Sequence, residues 1–175
     1  MNDNIFLSQD FRTKEFTESV TARKYGIDNT PPDEAVDNLR RLCHDTLQPL
    51  RDALGLPIVI TSGFRTKSLN DKLAHASDRS QHMLGQAADF YVKGHTESTD
   101  NTEKSVALRR ELLIKAFRTI ILDESIDYDQ LILYPTFIHV SYVSKEKNRR
   151  GILLAQGNGK LGYGRLTLAN ALKIS

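Results

Sequence analysis

Cysteine is scarce in this sequence: Cys43 is the single one among 175 residues. A disulfide within the chain is therefore excluded, and so is a zinc site built from four cysteines. Cys43 lies in a helical pattern, where a small buried hydrophobic side chain is the favoured interpretation and a nucleophile is the alternative.

The sequence also lacks an excess of either charge and any long hydrophobic run. Its 24 lysines and arginines are dispersed and matched by 22 acids, so no nucleic-acid-binding surface is predicted. No stretch approaches the ~18 apolar residues of a membrane span. The N-terminus has no basic start before an apolar run, so we expect synthesis in the cytoplasm without a Sec-type signal peptide.

What remains is the composition of a soluble globular protein, 39% hydrophobic and 26% charged. A length of 175 residues suits one domain with a sizeable core, so we expect a single domain over 1–175. Residues 1–30 are expected to be a lead-in that packs on the domain edge. Phe11, Phe16 and Val20 are scattered there among polar residues, consistent with a short helix.

The hydrophobic spacing beyond the lead-in switches between helical and strand periods. A helix is predicted over 33–54, with Pro49 as a candidate kink and Gly55 as its end. A second long helix is predicted over 103–122. The other predicted elements are a short helix at 66–76, strands at 57–61, 87–92, 128–134, 137–143 and 151–155, loops at 77–86 and 93–102, and a glycine-rich turn at 157–164. The order indicates an α+β domain with a small, mostly antiparallel sheet flanked by helices.

Two potential metal ligands lie close together in the segment that leads into the strand at 87–92. His82 and Asp89 are seven positions apart, and the small residues between them allow a close approach of the backbone. A catalytic zinc site needs three protein ligands and one open position for water. If the loop folds back, both side chains can therefore face one ion.

The third ligand must come from elsewhere, and His139 is the candidate. It lies in a β-branched strand, where alternation turns it away from Ile138 and Val140. A lone strand histidine is more often a structural hydrogen-bonding residue, so its position alone is weak evidence. The remaining histidines are interpreted as surface or structural residues: His44, His75 and His95.

Several motifs, taken together, resemble the D-Ala-D-Ala carboxypeptidase/dipeptidase family of zinc peptidases. The pattern Ser80-x-His82-x-x-Gly85-x-Ala87-x-Asp89, followed about fifty residues later by Ile138-His139-Val140-Ser141, is similar to the family signature. Ser62-Gly63-Phe64-Arg65 resembles its "SGYRS" segment, and Tyr128-Asp129-Gln130-Leu131-Ile132 its "FDQLI" segment. The resemblance runs from Asn29 through Asn148-Arg149-Arg150. That family includes phage endolysins and is structurally related to the Hedgehog signalling domain.

The resemblance implies a zinc ion bound by His82, Asp89 and His139. It also implies that Arg65 binds a substrate carboxylate or polarises the scissile carbonyl, a task suited to a fork-shaped donor. Ser80 would hydrogen-bond the peptide near the metal.

The sequence departs from the family at the position three residues before His139. Family members commonly have an acid there as general base, whereas this chain has Thr136. Asp129 on the preceding strand is the best substitute, and Asp127 is a second candidate. The hairpin register is not determined by the sequence, and a structural role for Asp129 is an equal alternative.

The implied function is hydrolysis of a peptide bond in the stem peptide of bacterial peptidoglycan, by a D,D-carboxypeptidase or an L,D-endopeptidase. The absence of a signal peptide favours a phage or prophage enzyme that reaches the cell wall by the lysis machinery, and we expect a monomer. One alternative is an inactive metal-binding or wall-binding module of the same fold. Another is a cytoplasmic enzyme that acts on free dipeptides.

Overall fold

A six-stranded sheet forms the centre of the computed structural model, which describes residues 4–74, 76–94, 102–155 and 163–174. The strands are β1 (Ile58–Ser62), β2 (Ala87–Val92), β3 (Gln130–Leu133), β4 (Ile138–Ser141), β5 (Gly151–Ala155) and β6 (Tyr163–Arg165). Their order is β1-β2-β4-β3-β5-β6, and all neighbours are antiparallel except β3 and β5. The predicted α+β class with a mostly antiparallel sheet is confirmed.

Seven α-helices are described beside this sheet. They are α1 (Thr13–Thr17), α2 (Val20–Tyr25), α3 (Asp33–Leu42), α4 (Gln48–Leu54), α5 (Lys67–Asn70), α6 (Glu103–Leu122) and α7 (Leu168–Ala171). A π-helical turn, Cys43–Leu47, joins α3 to α4, and a 3-10 helix, Gln81–Leu84, precedes β2. Helix α6 packs against β2, β3 and α4. No helix in the described part of the chain combines the length and hydrophobicity needed to cross a bilayer.

The predicted helix over 33–54 forms, but with a π-helical turn where a kink was the candidate. Pro49 has no N–H, so the carbonyl of Asp45 would have no partner in a regular α-helix. The backbone N–H of Asp127 donates to that carbonyl instead, at 3.0 Å. Gly55 ends the helix in the left-handed conformation, as predicted.

The N-terminal lead-in contributes to the main core as well as to the edge. Phe11 and Phe16 are completely buried, whereas Val20 is 73% exposed and does not pack inward. Phe16 approaches β1 so closely that a Cβ atom added at Gly63 would lie 2.6 Å from its backbone. Glycine at position 63 is therefore required for this contact.

The segment between β1 and β2 differs from the predicted helix over 66–76 and loop over 77–86. Helix α5 is only four residues long, because Asn70 turns its side-chain amide to the carbonyl of Ser77, at 3.0 Å. The expected loop contains the 3-10 helix, which ends at Gly85 with a φ of +70°. His75, His95 and most of the predicted turn at 157–164 lie outside the described residues.

At β2 and β4, one face of the sheet is buried in the core and the opposite face borders a cleft. Ala88, Phe90, Ile138 and Val140 are completely buried in the core. Asp89 and His139, which alternate with them, point to the opposite face of the sheet and line this cleft. The strand predictions at 128–134 and 137–143 were each too long at both ends, since the ladder is limited to Gln130–Leu133 and Ile138–Ser141.

Candidate metal centre

Asp89 and His139 face each other across the central pair of strands. They are direct partners in the β2–β4 register, and Oδ1 of Asp89 lies 2.8 Å from Nδ1 of His139. Both side chains are mostly buried, with 14% and 13% of their surface exposed. The sheet itself therefore brings together two residues that are fifty positions apart in the sequence.

His82 joins this pair from the 3-10 helix. Its Nδ1 hydrogen-bonds the carbonyl of Gly63 at 2.7 Å, which requires the proton on Nδ1 and leaves the lone pair of Nε2 facing the cleft. Its own carbonyl accepts the backbone N–H groups of Arg65 and Gly85. The imidazole is thus oriented by the backbone on both sides, as a metal ligand requires.

The three potential ligand atoms lie around one point. Nε2 of His82 is 3.3 Å from Nδ1 of His139 and 3.3 Å from Oδ1 of Asp89. Ligand atoms around a tetrahedral zinc ion, with bonds of about 2.0–2.1 Å, stand about 3.3 Å apart. The Asp89–His139 distance is shorter because these two atoms share a hydrogen bond. Two imidazoles and one carboxylate therefore fit a three-ligand zinc site.

The charges of these groups also suit metal binding. Burial lowers the pKa of His82 and favours its neutral form, which is the form that binds metals. Burial opposes the ionisation of Asp89, but the two histidines outweigh it and keep the pKa of Asp89 well below its usual range. Among the potential ligands, Asp89 is therefore an ionised carboxylate and His82 a neutral imidazole.

A comparison with known families agrees with this geometry. The family model described as Peptidase M15 matches residues 9–121, which is more than half of the chain. The chain belongs to the peptidase M15 family. Peptidases of this family are zinc-dependent, so the sequence resemblance to D-Ala-D-Ala carboxypeptidase-like zinc peptidases is confirmed. No curated protein matches the chain.

The matched region of this M15 peptidase includes His82 and Asp89, while His139 lies beyond it. The strand register supplies what the match leaves out, because it places His139 opposite Asp89. The family match includes His82 and Asp89, and the strand register adds His139. The two independent observations therefore indicate one group of residues.

Arg65 contacts this group of potential ligands through Asp89. Its Nη2 donates to Oδ2 of Asp89 at 3.0 Å, and both Nε and Nη2 donate to the hydroxyl of Ser62. The two oxygens of Asp89 are therefore divided: Oδ1 faces the histidines and Oδ2 faces the guanidinium. Arg65 is only 14% exposed but still lines the cleft.

The cluster opens into a cleft of about 810 Å³. Ser80, one of the predicted substrate-binding residues, lines this cleft immediately before the 3-10 helix. Thr136 is exposed in the turn between β3 and β4, and it is not among the residues that line the cleft.

Asp129, the predicted general base, lines the same cleft but is already fully engaged. Its Oδ1 accepts from the backbone N–H and Nε of Arg149, both at 2.8 Å. Its Oδ2 accepts from Nη2 of Arg149, from the amide of Gln81 at 2.9 Å and from the hydroxyl of Ser141 at 3.5 Å. Burial opposes ionisation, but these donors lower the pKa of Asp129 overall. A carboxylate in this state is a weak proton acceptor.

The second candidate base, Asp127, is also engaged by other residues. Its carboxylate accepts from Asn148 and Arg150, both at 2.9 Å, and it is not among the residues lining the cleft. Asp89 and Asp129 are the carboxylates that line the cleft in the described part of the chain.

The structure also locates the residues that the sequence left outside the site. The side chain of His44 is 83% exposed and pairs with Asp45, as expected for a surface residue. Cys43 is completely buried, and burial raises the pKa of its thiol well above the usual value, so the buried hydrophobic interpretation is confirmed. Gln81 and Arg149 were missed as site residues, although Gln81 precedes His82 directly and Arg149 lies in the Asn148-Arg149-Arg150 segment.

Proposed function

We propose that this M15 peptidase hydrolyses a peptide bond in the stem peptide of bacterial peptidoglycan, as a D,D-carboxypeptidase or an L,D-endopeptidase. The observation that supports this most strongly is the convergence of His82 Nε2, Asp89 Oδ1 and His139 Nδ1 on one point at the base of a cleft. Three ligands on one side leave the open position that metal-assisted hydrolysis needs.

We propose that zinc is bound by His82, Asp89 and His139. When bound there, zinc would lower the pKa of a water molecule toward 7 and polarise the scissile carbonyl. The hydrogen bonds of the proposed ligands support which residues would orient them around the zinc ion. Gly63 orients His82, and Arg65 orients Asp89 through Oδ2.

Arg65 is proposed to stabilise negative charge on the substrate in addition to orienting Asp89. Its Nη1 has no hydrogen-bond acceptor among the described residues, so this nitrogen is available to a carbonyl or carboxylate in the cleft. Ser80 is proposed to hydrogen-bond the peptide, because its position at the start of the 3-10 helix places it next to His82 along the cleft wall. Donors placed in advance in a mostly buried site stabilise developing charge strongly.

Asp129 is proposed to position other groups rather than to remove the proton of the attacking water. Its pKa is lowered, it is 1% exposed, and both oxygens already accept hydrogen bonds from Arg149 and Gln81. The base role expected from the sequence remains testable, because Asp129 is the second carboxylate of the cleft.

An inactive metal-binding or wall-binding module is the second candidate function. One observation favours it: among the described residues of the cleft, both carboxylates are engaged and neither is free to act as a base. Thr136 occupies the position at which family members commonly have an acid, and its side chain is exposed outside the cleft. The metal site would then serve binding or stability alone.

The cellular role follows from the resemblance and is proposed with the activity. We propose a single-domain monomer that is synthesised in the cytoplasm and acts on the cell wall, with a phage or prophage lysis system as its route. The single domain over 1–175 is proposed because the lead-in, the helices and the sheet share one core in the described part of the chain.

Metal content and wall cleavage, measured together, test the proposal. The purified protein is expected to bind one zinc ion and to release new amino groups from purified peptidoglycan. His82→Ala should abolish both. His44→Ala is the matched control and should change neither, because His44 is exposed and is not among the residues that line the cleft. Zinc binding without cleavage of any wall preparation would favour the inactive module, and absence of zinc binding would overturn both functions.

A further inference from the structure

Arg149 is held at the cleft in a fixed orientation, although its side chain is 60% exposed. Two of its side-chain nitrogens and its backbone N–H donate to Asp129, which is 1% exposed, and Nη2 also donates to Oε1 of Gln81 at 3.3 Å. A long exposed arginine normally samples many rotamers. Here the bidentate pair removes that freedom before any ligand binds.

The loop that carries Arg149 is fixed from its other side. Asn148 accepts from the backbone N–H of Val143 and donates to Asp127, both at 2.9 Å. Arg150 adopts a φ of +48°, the one positive φ of a non-glycine residue in the described chain, and it pairs with Asp127. A strained conformation that is supported on both sides presents Arg149 toward the cleft.

Gln81 connects Arg149 to the proposed metal ligands. The amide of Gln81 contacts both Asp129 and Arg149, and the next residue in the chain is His82. All of these residues line the same cleft. A peptide whose scissile bond lies at His82 would therefore extend past Gln81 toward Arg149.

The cleft carries an excess of positive charge. Its acids, Asp89 and Asp129, are each paired with an arginine, Arg65 and Arg149. Arg79 and Lys147 also line the cleft, and neither has an ion-pair partner within the described residues. Clefts with one sign of charge attract ligands of the other sign and orient them.

We infer that Arg149 is a substrate-binding residue that selects peptides with a free carboxylate near the scissile bond. Its Nη1 has no acceptor among the described residues, so it can donate to such a carboxylate while Nε and Nη2 remain on Asp129. Asp129 and Gln81 act as positioning residues for Arg149. This inference rests on the proposed function for its substrate class, an anionic stem peptide, and names the group that recognises it.

The test uses three synthetic stem pentapeptides and the zinc-loaded protein. One peptide has all carboxylates free, one has the α-carboxylate of its glutamate amidated, and one has its C-terminal carboxylate amidated. Binding is measured by calorimetry, and kcat/KM is measured wherever cleavage occurs. One amidated peptide should bind more weakly by about 10- to 100-fold, which is the usual strength of a charge-assisted hydrogen bond. The peptide that is affected identifies the recognised carboxylate.

Arg149→Gln should abolish this preference. Lys145→Gln is the matched control: it removes one positive charge from the same loop, is exposed and does not line the cleft, and should keep the preference. Because Arg149→Gln leaves Asp129 buried without its partner, the double variant Asp129→Asn/Arg149→Gln is measured as well and should show the same loss.

Two outcomes would overturn the inference: equal binding of all three peptides by the wild type, or an unchanged preference in both Arg149 variants. A wild type that cleaves none of the peptides contradicts the proposed function instead. In that case, a preference in binding that depends on Arg149 would still support the inference.

Discussion

Asp89 and His139 are cross-strand partners whose side chains meet at 2.8 Å on the cleft face of the sheet. A strand that slips by one residue turns all of its side chains to the opposite face. The completely buried neighbours Ala88, Phe90, Ile138 and Val140 prevent such a slip, because it would expose them and bury the two polar residues. The hydrophobic core thus determines the geometry of these two proposed metal ligands.

Zinc is expected to stabilise the folded protein through this cluster. A ligand that binds only the folded state, present at about 1,000 times its Kd, adds about 4 kcal/mol to the free energy of unfolding. Thermal unfolding with and without added zinc should therefore show a higher Tm with zinc. Asp89→Asn should lose most of this shift, because the ligand set loses its one negative charge. Asp71→Asn, an exposed acid paired with Lys67, should keep it, and an equal shift in both variants would contradict the site.

Arg65→Lys is expected to retain zinc but to lower kcat by about 10- to 100-fold. The planar guanidinium bonds Ser62 and Asp89 at once, a geometry that a lysine ammonium on a flexible stem does not reproduce. The comparison is made by zinc content and by kcat on purified wall. Arg40→Lys, at an exposed arginine paired with Asp37, is the control and should behave as the wild type. Loss of zinc in Arg65→Lys would show that the arginine acts mainly through Asp89.

Gly85→Ala is expected to destabilise the protein by at least about 3 kcal/mol, through strain together with a steric clash. Gly85 has a φ of +70°, and an added Cβ atom would lie 2.3 Å from the carbonyl oxygen of Ala35. Gly55→Ala is a close control, with a φ of +62° but nothing within 4 Å of the added atom, and should cost only about 1 kcal/mol. Urea unfolding of both variants measures the difference, and equal losses would show that the contact with Ala35 relaxes freely.

The contact between Asp129 and Arg149 is expected to make stability depend on pH in the acid range. The folded-state pKa of Asp129 is lowered, so its contribution is fully present above the unfolded-state pKa, near 4, and is lost as pH falls through the folded-state value. Asp129→Asn should therefore be less stable than the wild type by about 2–3 kcal/mol at pH 7. This difference should shrink below pH 4.

Urea unfolding at pH 7, 5 and 3 would measure this effect. The exposed acid Asp37 supplies the control, since Asp37→Asn should change the free energy of unfolding by less than about 0.5 kcal/mol at each pH. A constant difference between Asp129→Asn and the wild type across the three pH values would mean that the charge of Asp129 does not contribute. Cleavage of wall peptides measured on the same Asp129→Asn protein also tests the base role: full activity excludes it.

Much of this protein could be predicted from local sequence patterns. Hydrophobic spacing predicted the helix over 103–122 and the strand at 87–92, because periods of 3.6 and 2 follow directly from backbone geometry. Residue type and motif spacing indicated His82, Asp89 and His139, which the fold brings together. Helix α5 is shorter than the helix predicted over 66–76, and the 3-10 helix was not predicted, since side-chain contacts such as that of Asn70 determine where such short elements end.

Only the tertiary structure decided what Asp129 does. The sequence placed an acid on the strand before His139, which is equally consistent with a base and with a structural residue. The fold brings Arg149, which follows β4, and Gln81, which precedes β2, to that acid, so that both of its oxygens accept hydrogen bonds. The sequence by itself determined the types of side chain available for chemistry, because these are local properties. Their partners, and hence their protonation, depend on contacts between residues distant in the chain, which form only when the core packs.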